Sequence, residues 1–274
     1  MTSPARTPLH VVSRGSNEPV VLLHSGGMSS RQFKRLIDAL APTHHVLAPD
    51  FLGSGDNPPW PDDEPFHFTM DVDAVARLTA PLGPVHLVGH SYGGLVALSL
   101  ARQHPERVRS IALYDPVAFG VLRASADAEG LADLNRVGSD PLFTDPALGG
   151  RAAWFEAFVD YWNGPGTFRA LPEATRAAFL RVGRKVFYEV RSLMDDATGA
   201  QAYRDITAPA LLLTGSLSPV AARRVQALLS SALPQATAVI IEGAGHMGPI
   251  THAEEVNRVI IGAITRATSK TRRA

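Results

Sequence analysis

The sequence predicts an α/β protein: a mainly parallel central sheet with helices on both faces, interrupted by one helical insertion. Two observations carry this. Short apolar runs alternate with helical patterns along most of the chain, and alternating strands and helices imply a parallel sheet covered on both faces. The rhythm then breaks once, between Pro116 and Asp205, where no strand pattern stands out. A length of 274 residues fits one large domain with a sizeable insertion. A hydrophobic share of 45% against 19% charged residues is enough for a real core and excludes disorder of the whole chain.

The elements follow in order. A first strand is expected near Leu9 to Val12. Val20-Val21-Leu22-Leu23 reads as a buried strand ending at His24-Ser25-Gly26-Gly27. Phe33, Leu36, Ile37 and Leu40 then share one face of a helix. His45-Val46-Leu47-Ala48 is the next strand, broken by Pro49-Asp50-Phe51-Leu52-Gly53-Ser54-Gly55. Val72, Val75, Ala76 and Leu78 mark a helix. Val85-His86-Leu87-Val88 is a strand, and Leu95 to Ala101 a helix directly after it. Arg109 to Tyr114, Ala210 to Leu213 and Ala238 to Ile241 are further strands. A final helix carries Val256, Val259, Ile260 and Ala263.

Composition removes several function classes. A formal net charge of zero lacks the field that nucleic acid or an anionic membrane calls for. The absence of cysteine excludes disulfides, a thiolate nucleophile and every cysteine-based metal site. No apolar run approaches the roughly 18 residues of a membrane span, and Met1 to Arg6 leads into no signal-like stretch. A soluble, cytoplasmic protein is expected, with no nucleic-acid or membrane partner. The basic tail from Ser269 to Arg273 reads as a solvated end.

The insertion holds 12 of the 19 aromatic residues. Trp154, Phe155, Phe158, Tyr161 and Trp162 fall on one face of a helix. Most of these side chains are expected to pack under the insertion. A minority are expected to line an apolar cavity between insertion and sheet.

Gly89-His90-Ser91-Tyr92-Gly93-Gly94 lies between a strand and a helix, the context that a G-x-S-x-G nucleophile turn requires. The sharp turn forces Ser91 into a strained backbone conformation that lifts its hydroxyl clear of the sheet, and the flanking glycines avoid clashes. A serine hydroxyl needs a base within hydrogen-bond reach. His246, in Glu242-Gly243-Ala244-Gly245-His246-Met247, follows the last strand on a glycine-rich loop at the C-terminal edge of the sheet, where open parallel sheets bind ligands. His44, His45, His67, His86, His104 and His252 read as structural or surface groups.

These pieces, with His24-Ser25-Gly26-Gly27 and Asp50-Phe51-Leu52-Gly53-Ser54-Gly55, resemble the α/β-hydrolase superfamily over nearly the whole chain outside the insertion. The resemblance implies the α/β-hydrolase fold with an α-helical cap insertion. The core would then be 1–115 and 206–274, and the cap 116–205. It implies an oxyanion hole from the backbone N–H of Tyr92 and of Gly26, with Gly27 as the alternative. Preoriented N–H groups stabilise the charge that develops on a tetrahedral intermediate. His24 reads as packing under that loop.

One departure stands out. Relatives commonly carry the catalytic acid in a Gly-x-x-Asp turn, but here the turn is Gly215-Ser216-Leu217-Ser218, and a neutral hydroxyl cannot offset an imidazolium. Asp115, directly after the strand ending at Tyr114, is the favoured replacement, since it stays on the same sheet edge and keeps the chain order. Glu242 is a weaker candidate, and Asp50 and Asp56 read as loop braces.

The expected activity is hydrolysis of a small-molecule carboxylic ester, lactone or thioester with an apolar part, through an acyl-serine intermediate. Ser91 is the nucleophile, His246 the base and Asp115 the acid. No metal, nucleotide or redox cofactor is implied. Carbon–carbon cleavage, acyl transfer and non-hydrolytic isomerisation or cyclisation share the same groups and stay open. A non-catalytic ligand-binding protein is the remaining alternative.

Overall fold

The computed structural model describes residues 7–271, so Met1 to Arg6 and the last residues of the basic tail, Arg272 and Arg273, lie outside the described residues. Among the described residues seven strands form one sheet in the order β1-β3-β2-β4-β5-β6-β7. They are β1 (Val11–Arg14), β2 (Pro19–Leu23), β3 (His45–Pro49), β4 (Val85–His90), β5 (Val108–Tyr114), β6 (Ala210–Gly215) and β7 (Ala236–Ile241). Only β1 runs antiparallel, pairing Val11 with Pro49 and Arg14 with Val46. The other pairings are parallel.

β1 starts two residues later than the apolar pattern around Leu9 suggested. It is a half-exposed edge strand, so pairing with β3 sets its position more than burial does. The central strands are apolar on both faces because both faces are covered. In β2, Val20 and Leu22 point to one side and Val21 and Leu23 to the other. The Val20 side packs on α1 (Lys34–Leu40) and on the long helix Ala253–Thr271 through Leu36, Leu40, Val256 and Ile260. The Val21 side packs on α2 (Thr69–Thr79), α3 (Tyr92–Gln103) and the helix Val220–Ala232 through Val72, Val75, Leu95, Val225 and Leu229.

Between β5 and β6 lie seven helices: α4 (Gly120–Ala124), α5 (Ala128–Gly138), α6 (Pro141–Thr144), α7 (Ala152–Asn163), α8 (Thr167–Ala170), α9 (Glu173–Val182) and α10 (Arg184–Asp195). This is the cap. It has its own apolar cluster of Phe143, Trp154, Phe155, Phe179 and Phe187. The helices Val220–Ala232 (α11), Gly248–Thr251 (α12) and Ala253–Thr271 (α13) complete the chain. Lys185 of α10, fully buried, joins cap to core: its ammonium donates to Asp71 of α2 at 2.9 Å and to Glu189 one turn further along α10. Among the described residues no helix is long and apolar enough to cross a membrane.

His24 closes the end of β2 against the next loop. Its Nδ1–H donates to Ser25 O at 2.8 Å, and its Nε2 accepts the Phe51 N–H at 3.0 Å. A protonated ring could not accept the Phe51 bond. Burial lowers the pKa of His24 to about 4 from an ordinary 6.5. Between those values the unfolded chain binds the proton and the folded chain does not, so stability is lost as the pH falls through this window. The unfolding constant of the wild type relative to His24→Gln should rise by roughly tenfold per pH unit between these limits and level off below. Urea titrations of both proteins across the window measure this, and a flat difference would assign the burial cost elsewhere.

Candidate active site

All the residues singled out for chemistry sit at the C-terminal ends of neighbouring parallel strands. Ser91 follows β4 and immediately precedes α3, which starts at Tyr92, earlier than the apolar run from Leu95 indicated. Its backbone is held at φ 54° and ψ −117°, a left-handed strain that a non-glycine residue rarely adopts. Its N–H donates to Tyr114 O at 2.9 Å, tying the turn to the end of β5. The glycines around it are needed for space. A Cβ on Gly93 would lie 2.1 Å from Leu23 O, and one on Gly94 2.8 Å from the Pro116 ring.

Asp115 is fully buried at the end of β5, also at positive φ (44°). Its N–H donates to Leu213 O of β6. Its carboxylate meets three side chains: Thr214 Oγ1 donates to Oδ1 at 2.6 Å, Ser218 Oγ donates to Oδ2 at 2.6 Å, and His246 Nδ1 lies 3.0 Å from Oδ2. An ionised carboxylate can only accept, which places the imidazole proton on Nδ1. His246 Nε2, left as the acceptor, is 3.0 Å from Ser91 Oγ. The structure therefore brings Ser91, His246 and Asp115 into one hydrogen-bonded chain. Ser218, in the position where relatives commonly carry the acid, donates to the Asp115 carboxylate. Glu242 is exposed, and its carboxylate accepts from Ser216 Oγ at 3.1 Å.

The loops on either side are locked to each other. His90 Nε2–H donates to His246 O at 2.8 Å, and His90 Nδ1 accepts from Gln32 at 3.0 Å. Gln32 Oε1 in turn accepts from the Ser25 N–H and hydroxyl. Burial and the neighbouring His246 keep His90 well below the ordinary histidine range, so it serves as a neutral strut. Asp50 braces its loop by accepting from the N–H groups of Ser30 and Asp56, and Asp56 pairs with Arg31.

Two cavities of about 300 and 330 Å³ meet at Ser91. Ser91, Gly26, Phe158 and Trp162 line both. Gly26 faces this space, whereas a Cβ on Gly27 would run into the Phe179 ring at 2.5 Å. The aromatic face of α7 divides differently from the expectation that most of it would pack under the insertion: three of its five rings reach the cavities. Trp154 and Phe155 are fully buried in the cap, while Phe158, Tyr161 and Trp162 are half-buried and reach the cavities. The first cavity adds Val117, Leu134 and Leu193, and the second Met28, Leu171 and Ile250, so both are mainly apolar.

Two features escaped the sequence reading. The Trp162 indole stacks on the His246 ring, with centroids 3.9 Å apart and planes at 22°. The second is the buried cluster of Asp71, Lys185 and Glu189. No local signal announces it: Lys185, Glu189 and Ser192 share a face of α10 with Val186 and Leu193, and the structure buries that face.

A model of the alpha/beta hydrolase family matches residues 20–259. Over 263 residues, 92% of each chain, the sequence is 24% identical to an (E)-2-((N-methylformamido)methylene)succinate hydrolase of Acinetobacter baylyi. It is 30% identical over 252 residues to a pimeloyl-(acyl-carrier protein) methyl ester esterase of Neisseria meningitidis, covering 86% of this chain and 89% of that one. A thermophilic esterase from Thermogutta terrifontis superposes with a TM-score of 0.71 at 22% identity, over 94% of this chain and 93% of the other, a likeness of fold.

The Ser218→Ala variant tests how the Asp115 carboxylate is held. Loss of one charge-assisted hydrogen bond in a site with no exposure should lower stability by about 2 kcal/mol in denaturant titrations. An unchanged midpoint would mean that Thr214 and His246 satisfy the carboxylate alone.

Proposed function

This chain belongs to the alpha/beta hydrolase family, and from that premise we propose that it is a serine hydrolase for small-molecule carboxylic esters, lactones or thioesters. The carrying observation is the chain of contacts Asp115–His246–Ser91, with 3.0 Å at each step, beneath two mainly apolar cavities. The two relatives described above, a hydrolase and a methyl ester esterase, support the same class of chemistry.

In this reading Ser91 Oγ attacks the substrate carbonyl carbon while His246 Nε2 takes its proton. The backbone N–H groups of Tyr92 and Gly26 hold the oxyanion. Tyr92 opens α3, and the first N–H groups of a helix have no partner within the helix. Asp115 keeps the proton on Nδ1 and stabilises the imidazolium. The leaving alcohol or thiol collects the proton from His246. Water, activated by the same ring, then releases the acid and restores Ser91. Residues 116–205 act as the cap that encloses the substrate, and the two cavities take its acyl and leaving-group halves. Trp162 covers one face of the His246 ring and keeps solvent from it.

A fluorophosphonate probe should label Ser91, with no labelling of Ser91→Ala, as read by mass spectrometry. With p-nitrophenyl butyrate, Asp115→Asn should reduce kcat by about 10⁴ while keeping the fold, because the wrong tautomer then faces Ser91. Glu242→Gln should leave kcat unchanged. Survival of activity in the first variant and its loss in the second would reverse the assignment of the acid. An acid product carrying no oxygen from labelled water would rule out hydrolysis.

A further inference from the structure

Glu189 holds a carboxylate oxygen with nothing to bind. The side chain is 2% exposed, on α10 of the cap. Oε1 accepts from the Lys185 ammonium, but Oε2 has no hydrogen-bond partner among the described residues. The rest of the cluster is satisfied. Asp71 Oδ1 accepts the Leu52 N–H at 2.9 Å, and Oδ2 accepts the Tyr92 hydroxyl at 2.7 Å and Lys185 Nζ at 2.9 Å. Lys185 also lies over the Phe66 ring at 4.3 Å.

Pairing Lys185 does not require Glu189, since Asp71 already supplies one full counter-charge. The second carboxylate is surplus to that pair, and a buried polar atom without a partner costs about 1–3 kcal/mol. Burial accordingly lifts the Glu189 carboxyl to about 7. The position of Oε2 suggests what completes it. Glu189 lines the first cavity together with Ser91, Gly26 and Tyr92. A Cβ placed on Gly26 would lie 3.0 Å from Oε2 and 3.7 Å from Tyr92 Cβ. The free oxygen therefore sits beside Gly26, one of the two residues assigned to the oxyanion, and in the same cavity as Ser91 and Tyr92.

We propose that Glu189 is a substrate-binding residue whose free Oε2 accepts a hydrogen bond from a neutral donor, a hydroxyl or amide N–H, carried on the acyl chain close to the scissile carbonyl. This rests on the serine-hydrolase reading of the same site and narrows its substrate class. The first cavity is mostly apolar, with Asp195 the other carboxylate in its lining, and an acyl chain lacking a donor leaves the Glu189 oxygen unsatisfied.

Matched p-nitrophenyl esters test this at about pH 8, where Glu189 is ionised. N-acetylglycinate and levulinate differ only by N–H for CH₂. β-Hydroxybutyrate and isovalerate differ only by hydroxyl for methyl. After correction for each ester's rate with hydroxide, the wild type should favour at least one donor-bearing ester by about tenfold in kcat/KM. Glu189→Gln turns a donor toward the cavity. It should abolish or reverse that preference, read as the ratio of kcat/KM within each pair. Equal rates within both pairs for the wild type would overturn the proposal without touching the hydrolase reading, and so would an equal loss on all four esters in a folded Glu189→Gln protein. If no ester is turned over, the hydrolase reading fails by itself. Methyl ketones with the same four acyl groups, titrated into wild type and Ser91→Ala by calorimetry, then decide. Tighter binding of a donor-bearing ketone supports the Glu189 contact, and equal or absent binding overturns it.

Discussion

The hydrogen bond between the Asp115 carboxylate and His246 Nδ1 is the constraint around which the rest of the site is arranged. It joins residues 131 positions apart in the chain. It works only because β4, β5, β6 and β7 are parallel neighbours whose ends fall on one edge. Ser91 follows β4, Asp115 follows β5, Thr214 and Ser218 come from the end of β6 and the turn after it, and His246 follows β7. Two of these residues, Ser91 and Asp115, hold left-handed backbone conformations that cost free energy. The surrounding hydrogen bonds, Ser91 N–H to Tyr114 O and Asp115 N–H to Leu213 O, hold both in place.

If Asp115 is the acid, as proposed, it stands one strand away from the turn that ends in Ser218, and that turn has another task. Where relatives commonly place a carboxylate, Ser218 offers a hydroxyl, and this hydroxyl donates to the carboxylate that stands one strand away. Thr214 does the same from β6. A buried carboxylate needs donors to offset its desolvation, and the two hydroxyls with the imidazole N–H supply three. Ser218 is thus understood as part of the support of Asp115.

Much of this was legible in the chain because the signals were local. Buried parallel strands read as apolar runs such as Val20–Leu23 and Ala210–Leu213, and the nucleophile turn has a spacing that sterics dictate. The neighbourhood of Ser91 and His246 could be anticipated from their places after successive strands, and Asp115 was reached with the help of the family resemblance. What stayed hidden was non-local. Lys185 and Glu189 at i and i+4 have the spacing of an ordinary surface ion pair, and only Asp71, 114 positions earlier, shows that they are buried. Likewise, nothing in α7 distinguishes Trp162, stacked on a histidine, from Trp154, packed within the cap. β1 was misplaced by two residues because an edge strand is fixed by its partner.

The stacking of Trp162 on His246 links the roof of the cavities to their floor, since the indole belongs to α7 and the imidazole to the loop after β7. Diversification of this protein toward new ligands is therefore uneven across its roof. Side chains such as Leu134 of α5 or Phe179 of α9 line the walls without stacking on His246 and can be exchanged to reshape them. Position 162 has no such freedom: any drift of α7 that enlarges the chamber also strips the imidazole of its aromatic cover, so selectivity and reactivity are inherited together at that one helix.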